Sequence, residues 1–272
     1  MRFILLIALC NVAIVSATTA HAQGVATHTY RLQDFNRVVL SGRHELELSL
    51  GDYSVQVQGM QNGDTLVSQA DDTLFLGKSR EDIDYEEPVK FRVRLPDLAK
   101  VTVRGSGRVF LRPMRMNKTL KLELQGAGSV YMHPSAFSGL TVELGGSGDV
   151  EASELAVEGL VANIAGSGSI QVGTLNAGSS MVSIGGSGDF SVGDFCVIGD
   201  DITVNIAGSG DFRGDYCNAD TTIANIIGSG DVRVGAARTI NANIVGSGSV
   251  YYRAAETTSA SILGSGELEQ ID

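Results

Sequence analysis

The chain has no tryptophan, four prolines and three cysteines in 272 residues, and only 6% of it is aromatic. So little proline excludes collagen and polyproline architectures. The absence of tryptophan weakens any case for a sugar-stacking platform of the usual kind. Charged residues make up 19% of the chain and apolar ones 43%, a balance that excludes a disordered tail. Positive charge is scarce: 20 Lys and Arg face 31 Asp and Glu, for a net charge of −11. Such a surface repels nucleic acid and anionic lipid. Beyond the first residues there is no apolar run near the ~20 residues that a spanning helix needs, so no transmembrane span is expected.

Residues 1–22 read as a Sec-type signal peptide. Arg2 is the charged start, Phe3 to Val15 is apolar apart from Asn11, and Ala20-His21-Ala22 is a small-residue cleavage site. Cys10 follows Leu9 inside the apolar stretch, where a lipidation site wants a small residue. The expectation is export to the periplasm, the outer surface or the medium. Removal of the signal takes Arg2 and Cys10, leaving a net charge of −12 and two cysteines, Cys196 and Cys217. An even pair in an exported chain is a disulfide candidate.

What the chain does have is glycine, 34 residues of it. Eighteen lie in nine copies of G-[SA]-G-x-Φ, where Φ is apolar. The copies begin at Gly105, Gly126, Gly146, Gly166, Gly186, Gly208, Gly228, Gly246 and Gly264, at spacings of 18 to 22 residues. Before each motif the sequence alternates, as in Leu140/Val142/Leu144, Ile202/Val204/Ile206 and Ile240/Ala242/Ile244. Period-two alternation is the mark of a half-buried strand. After each motif an apolar residue returns at position plus four, from Val109 to Leu268. Each unit is therefore strand, glycine corner, strand and a variable return.

A unit of ~20 residues cannot bury its own apolar face and must stack on its neighbours. The expected fold is all-β: a single-stranded, right-handed parallel β-helix with about 20 residues per rung, each rung adding ~4.8 Å along the axis. A β-propeller needs blades about twice as long. Mature residues 23–272 are read as one domain, with an irregular β part over 23–100 and the repeats over 101–272. Val38-Val39-Leu40-Ser41-Gly42 followed by Leu46 reads as a degenerate unit, and Glu81 to Glu87 as an acidic loop. A separate small sandwich is the alternative for this first part.

The G-S-G-D-V repeats, the F-x-x-V-x-L-x-G entry (Phe35, Val38, Leu40, Gly42) and the step Leu95-Pro96-Asp97-Leu98 resemble the putative auto-transporter adhesin, head GIN domain family. The resemblance covers nearly all of the mature chain. It implies a β-helical fold in bacterial envelope proteins and brings no established biochemical activity.

Position plus three of the motif carries Asp149, Asp189, Asp211, Asp231 and Glu267, with serine at other rungs. Stacking would place Asp189, Asp211 and Asp231 about 5 Å apart, which makes them candidates for a calcium ladder. The exchange of Asp with Ser favours a plainer role, in which each accepts a backbone N–H in its own turn. The recurring serines, Ser106 to Ser265, have no recurring base. Mature histidines are His28, His44 and His133 alone, and a nucleophile needs a base within reach. No catalytic residue and no cofactor is expected. The column Asn163, Asn205, Asn225 and Asn243 points outward and suits a side-chain ladder.

Cys196 and Cys217 sit in matching words one rung apart, Gly193-Asp194-Phe195-Cys196 and Gly214-Asp215-Tyr216-Cys217. Neighbouring rungs bring Cα atoms to about 5 Å, within disulfide range. The functional expectation is a non-enzymatic exported scaffold that binds a protein or glycan of the envelope or extracellular space. A carbohydrate-binding or carbohydrate-active module is the first alternative. Self-association through an exposed last rung, Ser261 to Glu267, is the second.

Overall fold

The computed structural model describes residues 27–59, 66–77 and 88–272. The expected signal peptide and acidic loop lie outside them. Among the described residues there is no helix. Parallel coils stack into a β-solenoid of about eight turns, which matches the eight intervals between the nine glycine corners.

Register follows the repeat. The strand Ser135–Leu144 lies beside the second half of Asp149–Ile164, with Leu140, Val142 and Leu144 opposite Leu160, Ala162 and Ile164. The same alignment continues through Val182, Val204, Ala224 and Ala242. These inward positions are almost completely buried and form one continuous core. Alternation places every second side chain inside, so identical registers stack like on like. Phe190 and Phe212 show the result, with parallel rings 5.4 Å apart inside the coil.

The corners are shaped by close approach. At all nine motif positions a Cβ on the first glycine would collide with the backbone of the glycine one rung before. Positive φ is needed at only some of them: Gly228 has φ 137°, whereas Gly146, Gly166 and Gly186 are not left-handed. The residue choice is therefore dictated first by backbone-to-backbone stacking and second by φ.

The N-terminal part belongs to the same stack, in an order that differs from the chain. Strand β1 is Thr27–Tyr30, β2 Arg37–Gly42, β3 Glu45–Leu50, β4 Ser54–Gln58, β5 Val67–Ala70, β6 Thr73–Leu76, β7 Lys90–Leu95, β8 Lys100–Gly105 and β9 Arg108–Leu111. The degenerate unit is a true coil, since β2 and β3 pair in parallel with β8 and β9, and Gly42 lies opposite Gly105. On the other side of that coil, β6 pairs with β2 and β7 with β3, both in parallel. The chain thus lays down its second coil, moves outward to build the first, and returns to build the third. Antiparallel β5, on β6, and antiparallel β4 and β1, beside β7, finish this end. Antiparallel covers of this kind keep a parallel stack from extending.

His44 is buried in this end and accepts the Val89 backbone N–H at Nδ1, 3.2 Å away. Its ring meets Phe91 edge-on at 5.6 Å. Outside, Glu47 receives a 2.7 Å hydrogen bond from Arg112 Nε and sits 3.4 Å from Lys90 Nζ. The Arg112 bond is the main reason that the Glu47 carboxyl lies below its ordinary value.

Candidate binding surface

Each rung presents outward residues whose partners are one rung away. The Asp column forms such a chain of contacts. Asp149 Oδ1 accepts the Ser169 N–H at 2.9 Å, Asp189 Oδ1 that of Asp211 at 2.9 Å, Asp211 Oδ1 that of Asp231 at 2.8 Å, and Asp231 Oδ1 that of Ser249 at 2.8 Å. The donor is the following rung, not the residue's own turn as the sequence suggested. A turn residue cannot reveal from local spacing that its donor lies 18 to 22 residues on. The three calcium candidates are brought into one column, where Arg213 bridges two of them, at 3.0 Å from Asp189 and 2.7 Å from Asp211. No group of three or more metal-ligating side chains occurs among the described residues.

The Asn column makes a second ladder over part of its length. Asn225 Nδ2 donates to Asn205 Oδ1 at 2.8 Å, and Asn243 Nδ2 to Asn225 Oδ1 at 2.9 Å. Asn163 stands apart, between Glu143 and Ser183 in register. Cys196 and Cys217 lie opposite each other in adjacent rungs and are joined by a disulfide, with Cα atoms 4.5 Å apart.

The feature that sequence reasoning missed lies at position plus five. Plus four is apolar and inward on every rung, so plus five must face out. Read along the axis, that column runs Glu47, Phe110, Tyr131, Glu151, Gln171, Ser191, Arg213, Arg233, Tyr251 and Glu269. Phe110 and Tyr131 stack at 5.1 Å and 14°. Arg233 lies over the Tyr251 ring at 4.5 Å. Midway, the surface sinks into an open groove of about 510 Å³ over four rungs, between Tyr131 and Ser191. The next outward column there shrinks from His133 to Ser153, Gly173 and Gly193. A Cβ on Gly173 or Gly193 would strike the backbone of the preceding rung, so this part of the groove carries no side chains. Reading down columns instead of along the chain would have exposed this change of character.

A parallel stack of single-strand coils, glycine-cornered and with ladders on its outer faces, defines a β-solenoid. The sequence pattern described as "Putative auto-transporter adhesin, head GIN domain" matches residues 34–194 and 199–255, and the chain belongs to that family. Among solved structures, a putative adhesin from Parabacteroides distasonis is 20% identical with a TM-score of 0.66, covering 92% of this chain and 98% of its own. A putative adhesin from Parabacteroides merdae is 17% identical with a TM-score of 0.65, covering 92% and 97%. A putative lipid binding protein from Parabacteroides distasonis is 21% identical with a TM-score of 0.58, covering 92% and 98%. At these identities the likeness is one of fold. No curated protein matches the sequence. No helix among the described residues is long and apolar enough to cross a membrane.

Proposed function

We propose that the chain is an exported, non-catalytic β-solenoid scaffold that binds molecules of the cell envelope or the extracellular space through its outer sheet faces. The observation that carries this reading is the groove at Tyr131 to Ser191, where a repetitive surface becomes individual. Elsewhere many of the recurring polar groups are engaged by neighbouring rungs. The Asp carboxylates hold backbone N–H groups and the Asn amides hold one another. Groups so engaged serve the stack, which leaves recognition to columns that vary. The disulfide supports residence in an oxidising compartment, and the acidic balance argues against nucleic acid as partner. The test is cell fractionation of the full chain, followed by binding of the purified mature protein to isolated envelopes, with and without calcium. Export and saturable binding that calcium does not alter are expected. Cytoplasmic retention with reduced cysteines, or uptake that never saturates, would overturn the reading.

A second reading, self-association, has its own observation. Ile227, Val245 and Leu263 lie in register on three successive rungs and are 64%, 48% and 72% exposed. Such an outward apolar column next to a strand edge invites pairing with another copy. Sedimentation at rising concentration should show mass increasing for the native chain and not for Leu263→Glu. A constant monomer mass would remove this reading.

A further inference from the structure

We infer that the groove between Tyr131 and Ser191 is a binding site for an uncharged glycan, with one sugar packed against the Tyr131 side chain. The inference rests on the scaffold reading above and adds the ligand class to it.

Three observations converge on the site. The first is the contrast along the plus-five column. Toward one end Glu47 is engaged by Lys90, Arg92 and Arg112. Toward the other, Arg213 is held by Asp189 and Asp211, and Arg233 by Tyr251. Between them, Glu151 and Gln171 have no side-chain hydrogen bond or ion pair among the described residues, and they lie directly beside each other in register. From Glu47 to Tyr251 the charged members of the column have partners except where the surface sinks, and at its far end Glu269 has none among the described residues.

The second is the chemistry of what is left open. A carboxylate, an amide and a hydroxyl (Ser191) offer acceptors and donors at strand spacing, ~4.8 Å apart. That spacing is close to the length of one sugar residue in an extended chain. The groove lining holds no lysine or arginine, and Glu151 is its one formal charge when histidine is counted neutral. An anionic polymer would therefore meet repulsion without compensation. An acyl chain finds little apolar side-chain surface, since Met132, Ala152 and Val172 turn inward and are buried, which leaves the Tyr131 ring and part of Val192.

The third is shape. Tyr131 stacks on Phe110 on one side, has Glu151 beside it in register on the other, and borders the groove with a half-buried ring. That ring offers a sugar an amphipathic aromatic surface at the groove's end. At Gly173 and Gly193 the groove wall is bare main chain.

The test uses the purified mature protein and four probes: cellohexaose and chitohexaose as neutral glycans, hexagalacturonate as the anionic one, and phosphatidylethanolamine–phosphatidylglycerol vesicles. Calorimetric titration should give saturable binding of at least one neutral glycan and none of hexagalacturonate. Tyr131→Ala should weaken that binding about five- to tenfold, the worth of one aromatic stacking contact. Gln171→Ala should weaken it as well, and Ser183→Ala, on another column, should not change it. Circular dichroism melts of each variant separate loss of ligand from loss of fold. No binding of either neutral glycan, stronger binding of hexagalacturonate, binding to vesicles alone, or binding that Tyr131→Ala and Gln171→Ala leave intact would each overturn the assignment. Saturable binding to envelopes that survives Tyr131→Ala would leave the scaffold reading standing without this site.

Discussion

Gly210 and Gly159 offer a paired test of why the corners are glycine. A Cβ on Gly210 would overlap the carbonyl oxygen of Gly188 and lie 2.8 Å from Ile184 Cγ2, where real Cβ atoms essentially never come within 3.0 Å. Gly210 is not left-handed, so φ strain plays no part. To admit the methyl group, two rungs must part locally by roughly 1 Å against a spacing of ~4.8 Å. That stretches the bonds which Ser209 and Gly210 donate to the Gly186 carbonyl, now 2.9 and 3.2 Å. Overpacking costs about 1–3 kcal/mol, and weakening those bonds adds about 1 kcal/mol. Gly210→Ala should therefore lose about 2–4 kcal/mol, and its melting point should fall by roughly 5–15 °C. At Gly159 an added methyl group would meet nothing within 4 Å, and the residue has no left-handed φ. Gly159→Ala should gain about 0.4–1 kcal/mol through lost freedom of the unfolded chain. Thermal and guanidinium unfolding followed by circular dichroism measure both. If the two substitutions shift stability alike, or Gly210→Ala stays within about 0.5 kcal/mol of the parent, rung-to-rung crowding is not what selects glycine.

Other perturbations probe the remaining ladders. The disulfide closes a loop of 21 residues, so reduction or Cys196→Ser with Cys217→Ser should cost about 3 kcal/mol by loop entropy; two free thiols in the denatured, unreduced protein would contradict the bond. Asp211→Ala removes the acceptor for the Asp231 N–H and a partner of Arg213, and should lose about 1–2 kcal/mol, whereas Asp211→Asn, which keeps the acceptor, should lose less. A rise in melting point on adding calcium, abolished by Asp211→Asn, would restore the metal reading instead. Thr222 is fully buried and its hydroxyl has no hydrogen-bond partner among the described residues, so Thr222→Val should be neutral or stabilise by about 1 kcal/mol; a clear loss in a melt would show that the hydroxyl is satisfied.

Acid should weaken the coils that Glu47 and Glu123 join. The Glu47 carboxyl is held below its ordinary 4.5 chiefly by the Arg112 hydrogen bond. Burial pushes Glu123 upward, but the bonds from Lys100 and Lys121 outweigh it and its carboxyl also lies low. A depressed folded value means that the contribution is complete above the ordinary carboxylate pKa and is lost as pH falls through the lowered one. Melts between pH 6 and pH 3 should therefore be less steep for Glu47→Gln than for the parent. Equal slopes would show that this carboxylate carries no linkage.

What repeats could be read from the sequence, and what happens once could not. The glycine corners and the inward apolar positions recur every 18 to 22 residues, so each rung repeats the constraint of the last, and that spacing also brought Cys196 opposite Cys217. The Asn ladder followed from the same arithmetic. The position of β6 and β7 outside β2 and β3 left no periodic mark, because the pairing of 37–42 with both 73–76 and 100–105 occurs once. The groove was hidden for a related reason. Tyr131, Glu151, Gln171 and Ser191 differ from one another, and only rung-to-rung alignment shows that they share a face.

The non-sequential order at the N-terminal end also bears on how the chain assembles. The coil of β2 and β3 is flanked by segments that follow it in sequence, so it can be completed only after β6 to β9 have been made. Once it is, every later turn has a finished edge to grow upon, and the entropy of closing a rung is that of some twenty residues each time. Removing whole turns from the far end should therefore lower stability in graded steps, while deleting β2 and β3 takes away the coil on which both β6–β7 and β8–β9 pair.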